Sequence, residues 1–195
     1  MKLPRNQKGR LILITGGTRS GKSRFAVELA KRCGQGIVYL ATCKAADREM
    51  RQRIAHHRRH RPAHWRTIEH PRDPAKVVAQ LNGKSDGLIL DCLTMYVSQL
   101  LVTGQSDARI EQQVRRLCHV LRRTPYPVIL VTNEVGSGIV PEFPMGRRFR
   151  DLAGLTNQIA AALADEVYLL VAGIPALIKA RSSSRRSAHA SLVTA

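Results

Sequence analysis

Eight residues, Gly16-Gly17-Thr18-Arg19-Ser20-Gly21-Lys22-Ser23, constrain the fold of this chain more than any other feature. They have the spacing of a phosphate-binding loop: Gly, four residues, then Gly-Lys-Ser. The apolar run Leu11-Ile12-Leu13-Ile14 precedes them, and the helical pattern Phe25-Ala26-Val27-Glu28-Leu29-Ala30 follows. A buried strand, a glycine-rich turn and a helix in that order aim backbone N–H groups at one anion and add the helix dipole. Lys22 is then placed for the β- and γ-phosphates, and the Ser23 hydroxyl for Mg²⁺. A chance Gly-rich turn would need neither the strand nor the helix. The motif implies a nucleoside triphosphate site and leaves the reaction open.

Apolar runs recur along the chain with helical patterns between them, the rhythm of a parallel sheet with crossover helices. Strands are expected near 11–15, 36–41, 87–91, 127–132 and 166–171, with a shorter one near Trp65 to Glu69. Helices are expected near 22–32, 46–60, 73–82, 93–102, 107–123 and 147–164. The fold class is therefore α/β, P-loop NTPase-like (RecA-like), with a mostly parallel sheet flanked by helices. Residues 11–179 read as one domain, between a basic extension at 1–10 and a basic, structureless tail at 180–195.

The net charge of +18 invites a nucleic-acid reading. Its distribution weakens that reading. Residues 1–10 and the stretch from Lys179 onward hold four basic groups each and no acid, which leaves +10 on the body. Nine Lys and Arg lie between Lys44 and Arg72. Aromatics are only 4%, so no series of stacking platforms exists for single strands. A basic cleft for phosphorylated small molecules is the better use of that charge, and nucleic acid is disfavoured. No apolar run is long enough to span a bilayer, and Met1 to Arg10 lacks a signal core. Cys33, Cys43, Cys92 and Cys118 have no metal-ligand spacing and read as reduced thiols of a cytoplasmic protein.

Two further features carry chemistry. Leu88-Ile89-Leu90 ends in Asp91, and a carboxylate at a strand's C-terminal end is where P-loop enzymes place a second Mg²⁺ contact. The segment from Asp47 to His60 combines His56, His57 and His60 with Arg51, Arg53, Arg58 and Arg59. His56 and His60 share a helical face, but no third metal ligand accompanies them, and a solvated basic helix is the plainest alternative. The segment follows the second strand, however, and so leaves the sheet edge where ligands bind in open α/β folds. A neutral imidazole can attack phosphorus and divide one transfer into two, with arginines neutralising the developing charge. Position alone does not choose among the three histidines.

Thr15 to Arg24 resembles the P-loop of the bifunctional adenosylcobinamide kinase and adenosylcobinamide-phosphate guanylyltransferase family. The resemblance continues through Tyr39-Leu40-Ala41-Thr42, Glu49-Met50-Arg51, Arg53-Ile54-Ala55-His56-His57, Arg61 to Glu69 and Asp91-Cys92-Leu93-Thr94. Val131 to Pro141, Phe149 to Gly154, Asn157-Gln158 and Ala164 to Tyr168 complete it, over about residues 11 to 179. The family phosphorylates adenosylcobinamide with GTP or ATP, then moves GMP from GTP onto adenosylcobinamide phosphate, releasing pyrophosphate. The resemblance places the histidine that carries the guanylyl group at His56. By position it also implies nucleotide contacts at Gly16, Gly17, Thr18, Arg19, Ser20, Gly21, Lys22 and Ser23. Further contacts fall at Ala41, Thr42, Cys43, His57, Arg58, Arg59, His60, Glu69 and Asp91, beside the Mg²⁺ positions that the loop and the strand end already give to Ser23 and Asp91. It implies a homotrimer as well.

Cys43 stands where family members vary, and Glu142 to Arg147 departs from the Pro-Glu-Asn-Arg-Leu-Ala-Arg version. Glu134, in the turn Asn133 to Gly138, is a candidate substrate contact. The 44–62 segment lacks a strong apolar face and is expected to move between the two reactions. The competing readings are a small-molecule kinase with structural histidines and a nucleic-acid-binding NTPase.

Overall fold

The computed structural model describes residues 9–45, 47–59, 61–81 and 83–180. His60, most of the basic N-terminal extension and the tail from 181 lie outside them. Among the described residues seven strands form one sheet in the order β3-β2-β4-β5-β1-β6-β7. The strands are β1 (Leu11–Gly16), β2 (Ile37–Ala41), β3 (Arg66–Glu69), β4 (Gly87–Asp91), β5 (Val128–Val131), β6 (Glu166–Val171) and β7 (Ile174–Lys179). The helices are α1 (Lys22–Lys31), α2 (Arg48–Arg59), α3 (Pro74–Leu81), α4 (Leu93–Val102), α5 (Asp107–Arg122) and α6 (Pro144–Leu163). Every strand pairing is parallel except that of β6 with β7.

Side chains alternate across the pleat, and so divide the core in two. Leu11, Leu13, Val38, Leu40, Leu88 and Leu90 face one side, where the buried stripes of α3, α4, α5 and α6 cover them. Ile12, Ile14, Ile37, Tyr39 and Ile89 face the other, against Ala26, Val27, Leu29 and Ala30 of α1. The continuous burial of β1, β2 and β4 is what a sheet covered on both faces requires. α5 shows the matching helical period, burying Ile110, Val114, Leu117, Cys118 and Leu121, with the Ser106 side chain capping its first turn.

Two local features depart from the sequence reading. β7 was not expected: it is exposed throughout, carries Pro175, and lies at the sheet edge, the one place a strand tolerates proline. Its partner is fixed by the two-residue turn Ala172-Gly173, with φ of 51° and 83°. α6 starts at Pro144 rather than near Arg147, because proline's fixed φ suits a helix's first position.

Strand order places β5 between β1 and β4, so Gly16 and Asp91 end strands two positions apart in one sheet. Both open onto the same C-terminal edge. That edge carries the cleft.

Candidate active site

β1 ends at Gly16, where φ is +147° and a Cβ would stand 2.4 Å from Leu170 O and 2.9 Å from Ser20 Oγ. Only glycine fits there, and the chain turns at once into the loop. Gly21, at φ 95°, is the N-cap of α1, and among the described residues no side chain caps the start of that helix. The first N–H groups of α1 are thus left without a capping side chain, as an anion site at a helix start requires. The Lys22 amine donates to Gly17 O at 2.6 Å and to Ser20 Oγ at 3.4 Å. Burial lowers its pKa from the ordinary 10.5, while Cys92 and Asp91 act in the opposite direction. The β6–β7 turn is tied to this loop, since Gly173 N donates to Ser20 O at 3.0 Å.

Asp91, at the end of β4, accepts from Ser23 Oγ at 3.0 Å and from the Tyr39 hydroxyl, both on Oδ2. The register Ala41↔Asp91 sets Tyr39 two residues back on the neighbouring strand, close enough to make that bond. Burial first, then the adjacent Asp91 charge, raises the Tyr39 pKa well above 10.0, so the phenol stays a donor. The Arg61 guanidinium lies over the Tyr39 ring, 3.5 Å from its centroid. A hydroxyl and a carboxylate converging beside a phosphate loop are the oxygen donors that suit Mg²⁺, which takes few protein ligands and completes its shell with phosphate and water. Ser23 and Asp91 fit that role.

α2 forms the opposite wall. Its Glu49, Met50, Gln52, Ile54, His57 and Arg59 line the same cleft as the P-loop, around a volume of about 1300 Å³. That is roomy for a nucleotide, since small-molecule pockets run to about 1000 Å³. The helix contributes only Met50 and Ile54 as half-buried apolar contacts, and its described charged side chains are exposed. Arg58 turns away to Glu69, with Nε donating to Oε1 at 3.0 Å. That hydrogen bond is the main cause holding the Glu69 carboxyl below its ordinary 4.5. Cleft-lining cations (Arg19, Lys22, Arg24, Arg59, Arg61) outnumber the carboxylates (Glu49, Glu69, Asp91).

The sequence-derived residues largely converge. Thr18, Arg19, Ser20, Gly21, Lys22 and Ser23 line the cleft on the loop side. Ala41, Cys43, His57, Arg59, Glu69 and Asp91 line it elsewhere. His56 lies on α2 one residue before His57. Thr42 is not part of the lining. It is buried, its hydroxyl donates to Cys92 O at 2.6 Å and accepts from Cys92 N at 2.9 Å, and Gln99 donates to its carbonyl. It braces β2 against β4. Glu134 bonds the backbone of its own turn, accepting from Gly136 N at 2.8 Å, and its neighbour Asn133 lines the cleft instead.

Sequence reasoning missed Tyr39 and Arg61 as cleft residues, along with Ala172 and Gly173. Tyr39 reads as an ordinary strand aromatic, and only strand register brings it to Asp91. It also missed the polar floor. Thr94 and Thr132 hydroxyls lie 2.9 Å apart, Thr132 Oγ1 donates to Asn157 Oδ1 at 2.7 Å, and Asn157 Nδ2 donates to Asn133 O at 3.0 Å. Asn133 N donates to Thr94 Oγ1 at 2.7 Å. This network joins α4, β5 and α6 and pins Asn133 at the cleft.

Residues 12–178 match the family model described as cobinamide kinase / cobinamide phosphate guanyltransferase. The bifunctional adenosylcobalamin biosynthesis protein CobU of Salmonella typhimurium is 44% identical over 181 residues, covering 87% of this chain and 99% of its own. Its Escherichia coli counterpart is 42% identical with the same coverage. The bifunctional adenosylcobalamin biosynthesis protein CobP of Pseudomonas aeruginosa is 41% identical over 170 residues, covering 86% of this chain and 96% of its own. A P-loop, an aligned acidic strand end and a histidine-bearing helix around one cleft agree with a match that runs almost end to end: the chain belongs to the cobinamide kinase / cobinamide phosphate guanyltransferase family.

Proposed function

We propose that this protein carries out both reactions of its family at the one cleft, phosphorylating adenosylcobinamide and then transferring GMP from GTP to the phosphorylated product. In the first reaction Lys22 and the P-loop N–H groups hold the triphosphate of GTP or ATP. The substrate hydroxyl attacks the γ-phosphorus and gives its proton to water, the bond to the β–γ bridging oxygen breaks, and GDP or ADP leaves with the electron pair. Ser23 and Asp91 would hold Mg²⁺, which supplies charge neutralisation on the phosphates.

In the second reaction the His56 imidazole attacks the α-phosphorus of GTP. A P–N bond forms, the bond to the bridging oxygen breaks, and pyrophosphate leaves with the electron pair. A phosphate oxygen of adenosylcobinamide phosphate then attacks the same phosphorus, and the P–N bond breaks to restore His56. Lys22 meets the departing pyrophosphate where it met the γ-phosphate before. The remaining nucleotide contacts are assigned to Gly16 through Ser23, Ala41, Thr42, Cys43, the His57 to His60 stretch, Glu69 and Asp91. Thr42 contributes there by holding the strand ends in register.

The observation that supports this reading most is that α2, which bears His56, walls the same cleft as Lys22. His56→Ala tests it: phosphate transfer to adenosylcobinamide is retained within a few-fold, while formation of the GDP adduct falls to background. Loss of neither activity contradicts the assignment.

We further propose a cytoplasmic homotrimer. The described cysteines are all free thiols. Exposed Ile139, Val140, Phe143 and Met145, and the apolar residues of edge strand β7, offer surface for subunit contacts. Light scattering of the purified protein at three times the chain mass of 21.6 kDa is the expected result. Among the described residues no helix is long and apolar enough to cross a membrane.

A further inference from the structure

Arg61 follows α2 and lines two adjoining spaces, the main cleft and a smaller cavity of about 280 Å³ walled by Arg58, Pro62, Trp65 and Glu69. Its Nε and Nη1 are buried and, among the described residues, meet no acceptor. A charged donor shielded from water without an acceptor is costly, and proteins rarely leave one so. The neighbouring carboxylates are engaged. Glu69 accepts from Arg58 at 3.0 Å, and Asp91 accepts from Tyr39 and from Ser23. Meanwhile the guanidinium carbon lies over the Tyr39 ring, 3.5 Å from its centroid, which holds the group in place beside the cleft. A planar cation with two buried, unused N–H donors, on a side chain that lines a basic cleft, is suited to a tetrahedral oxyanion.

We propose that Arg61 is a phosphate-binding residue, donating its Nε–H and Nη1–H to oxygens of one phosphate group carried in by a substrate. This rests on reading the cleft as a triphosphate site. The phosphate belongs either to the nucleotide or to the phosphorylated acceptor. Either way, because Arg61 lies on Tyr39 and Tyr39 bonds Asp91, phosphate capture at the α2 side is mechanically tied to the Ser23–Asp91 pair.

The test uses the full chain with Arg61→Met, Arg61→Lys and Lys22→Ala. Trp65 is the one tryptophan of the sequence, is buried, and lines the small cavity beside Arg61, so its emission and the ligand-induced rise in Tm both report occupancy. GTP and inorganic pyrophosphate are titrated separately. If the phosphate is the nucleotide's, Arg61→Met weakens GTP binding about 10- to 100-fold, and Arg61→Lys gives an intermediate loss because it keeps charge but not the planar fork. If it is the acceptor's, GTP binding stays within twofold while the KM for adenosylcobinamide phosphate in GMP transfer rises by a similar factor. Unchanged GTP binding together with unchanged acceptor KM in both Arg61 variants overturns the proposal. So does a Tm loss in the free Arg61→Met protein with the GTP-induced rise and the acceptor KM intact, which marks a packing role. Equal GTP binding by wild type and Lys22→Ala instead overturns the triphosphate site itself, and the two failures are thereby separate.

Discussion

The Tyr39 hydroxyl and the Ser23 hydroxyl both donate to Asp91 Oδ2, so one carboxylate oxygen ties β2, β4 and the start of α1 into a single corner of the cleft. Asp91→Asn keeps the shape of the side chain and removes its charge. Activity in both reactions is expected to fall about 100-fold at low millimolar Mg²⁺, with partial recovery as Mg²⁺ is raised. Tyr39→Phe, which removes one donor and leaves the carboxylate, should cost only about 1 kcal/mol of stability and a few-fold in activity. Steady-state rates against Mg²⁺ concentration check both. An Asp91→Asn enzyme as active as wild type would remove the carboxylate from the mechanism.

Lys22 gives the cleft a pH dependence. Burial lowers its pKa in the free protein, and phosphates bound against it would raise it again. A group whose pKa rises on binding favours the complex below its free value and loses that advantage as pH climbs through the free and then the bound value. GTP affinity should therefore hold near neutrality and weaken on the alkaline side, with proton uptake on binding in that range. Calorimetric titrations in buffers of different ionisation enthalpy measure the uptake directly. Affinity that strengthens with pH would contradict the assignment.

Stability should fall above pH 9 for a separate reason. Burial pushes the Cys92 and Cys118 thiols up to about 12 from 9.0, and the Tyr96 phenol up to about 12 from 10.0. In the unfolded chain these groups lose their protons at the ordinary values, while the folded protein keeps them. Their contribution is thus fully present below pH 9 and is lost as pH rises towards 12. Tm measured from pH 8 to 11 should decline progressively, and Cys118→Ala, although destabilised throughout, should decline less steeply. Equal slopes would show that Cys118 does not contribute.

The polar floor beneath Asn133 is predicted to be structural and fully committed. Thr132 is completely buried and bonds both Thr94 and Asn157. Thr132→Val preserves its volume and leaves the Asn157 carbonyl oxygen without that donor, which should cost about 1–3 kcal/mol. Denaturant unfolding measures the loss. A neutral result would mean that water or a rotated Asn157 amide replaces the bond.

Much of this cleft is legible in the sequence, for identifiable reasons. The P-loop combines a continuous apolar strand, glycines at strained positions and an amphipathic helix, three local signals that agree with one another. Asp91 was legible because it ends such a strand. The short β3 and the ends of α3 and α5 also fell within a residue or two of the expected places. What escaped depends on contacts between distant segments. β7 has no buried face, so no alternation announces it. Tyr39 meets Asp91 only through the parallel register of β2 and β4, and Arg61 matters only because Tyr39 lies under it. For Thr42, which the resemblance places at the nucleotide, the fold adds what the sequence did not show: its hydroxyl bonds the Cys92 backbone and holds two strand ends together.

The central claim is that GMP passes through a histidine of this chain. Protein incubated with GTP labelled at the α-phosphate and Mg²⁺, without corrinoid, should retain label in an alkali-stable, acid-labile phosphoramidate mapped to His56, and the label should pass to adenosylcobinamide phosphate when that acceptor is added. Label should be absent from His56→Ala and from wild type given γ-labelled GTP. No protein-bound label in an enzyme that forms the GDP adduct, or equal labelling of His56→Ala, would contradict the account.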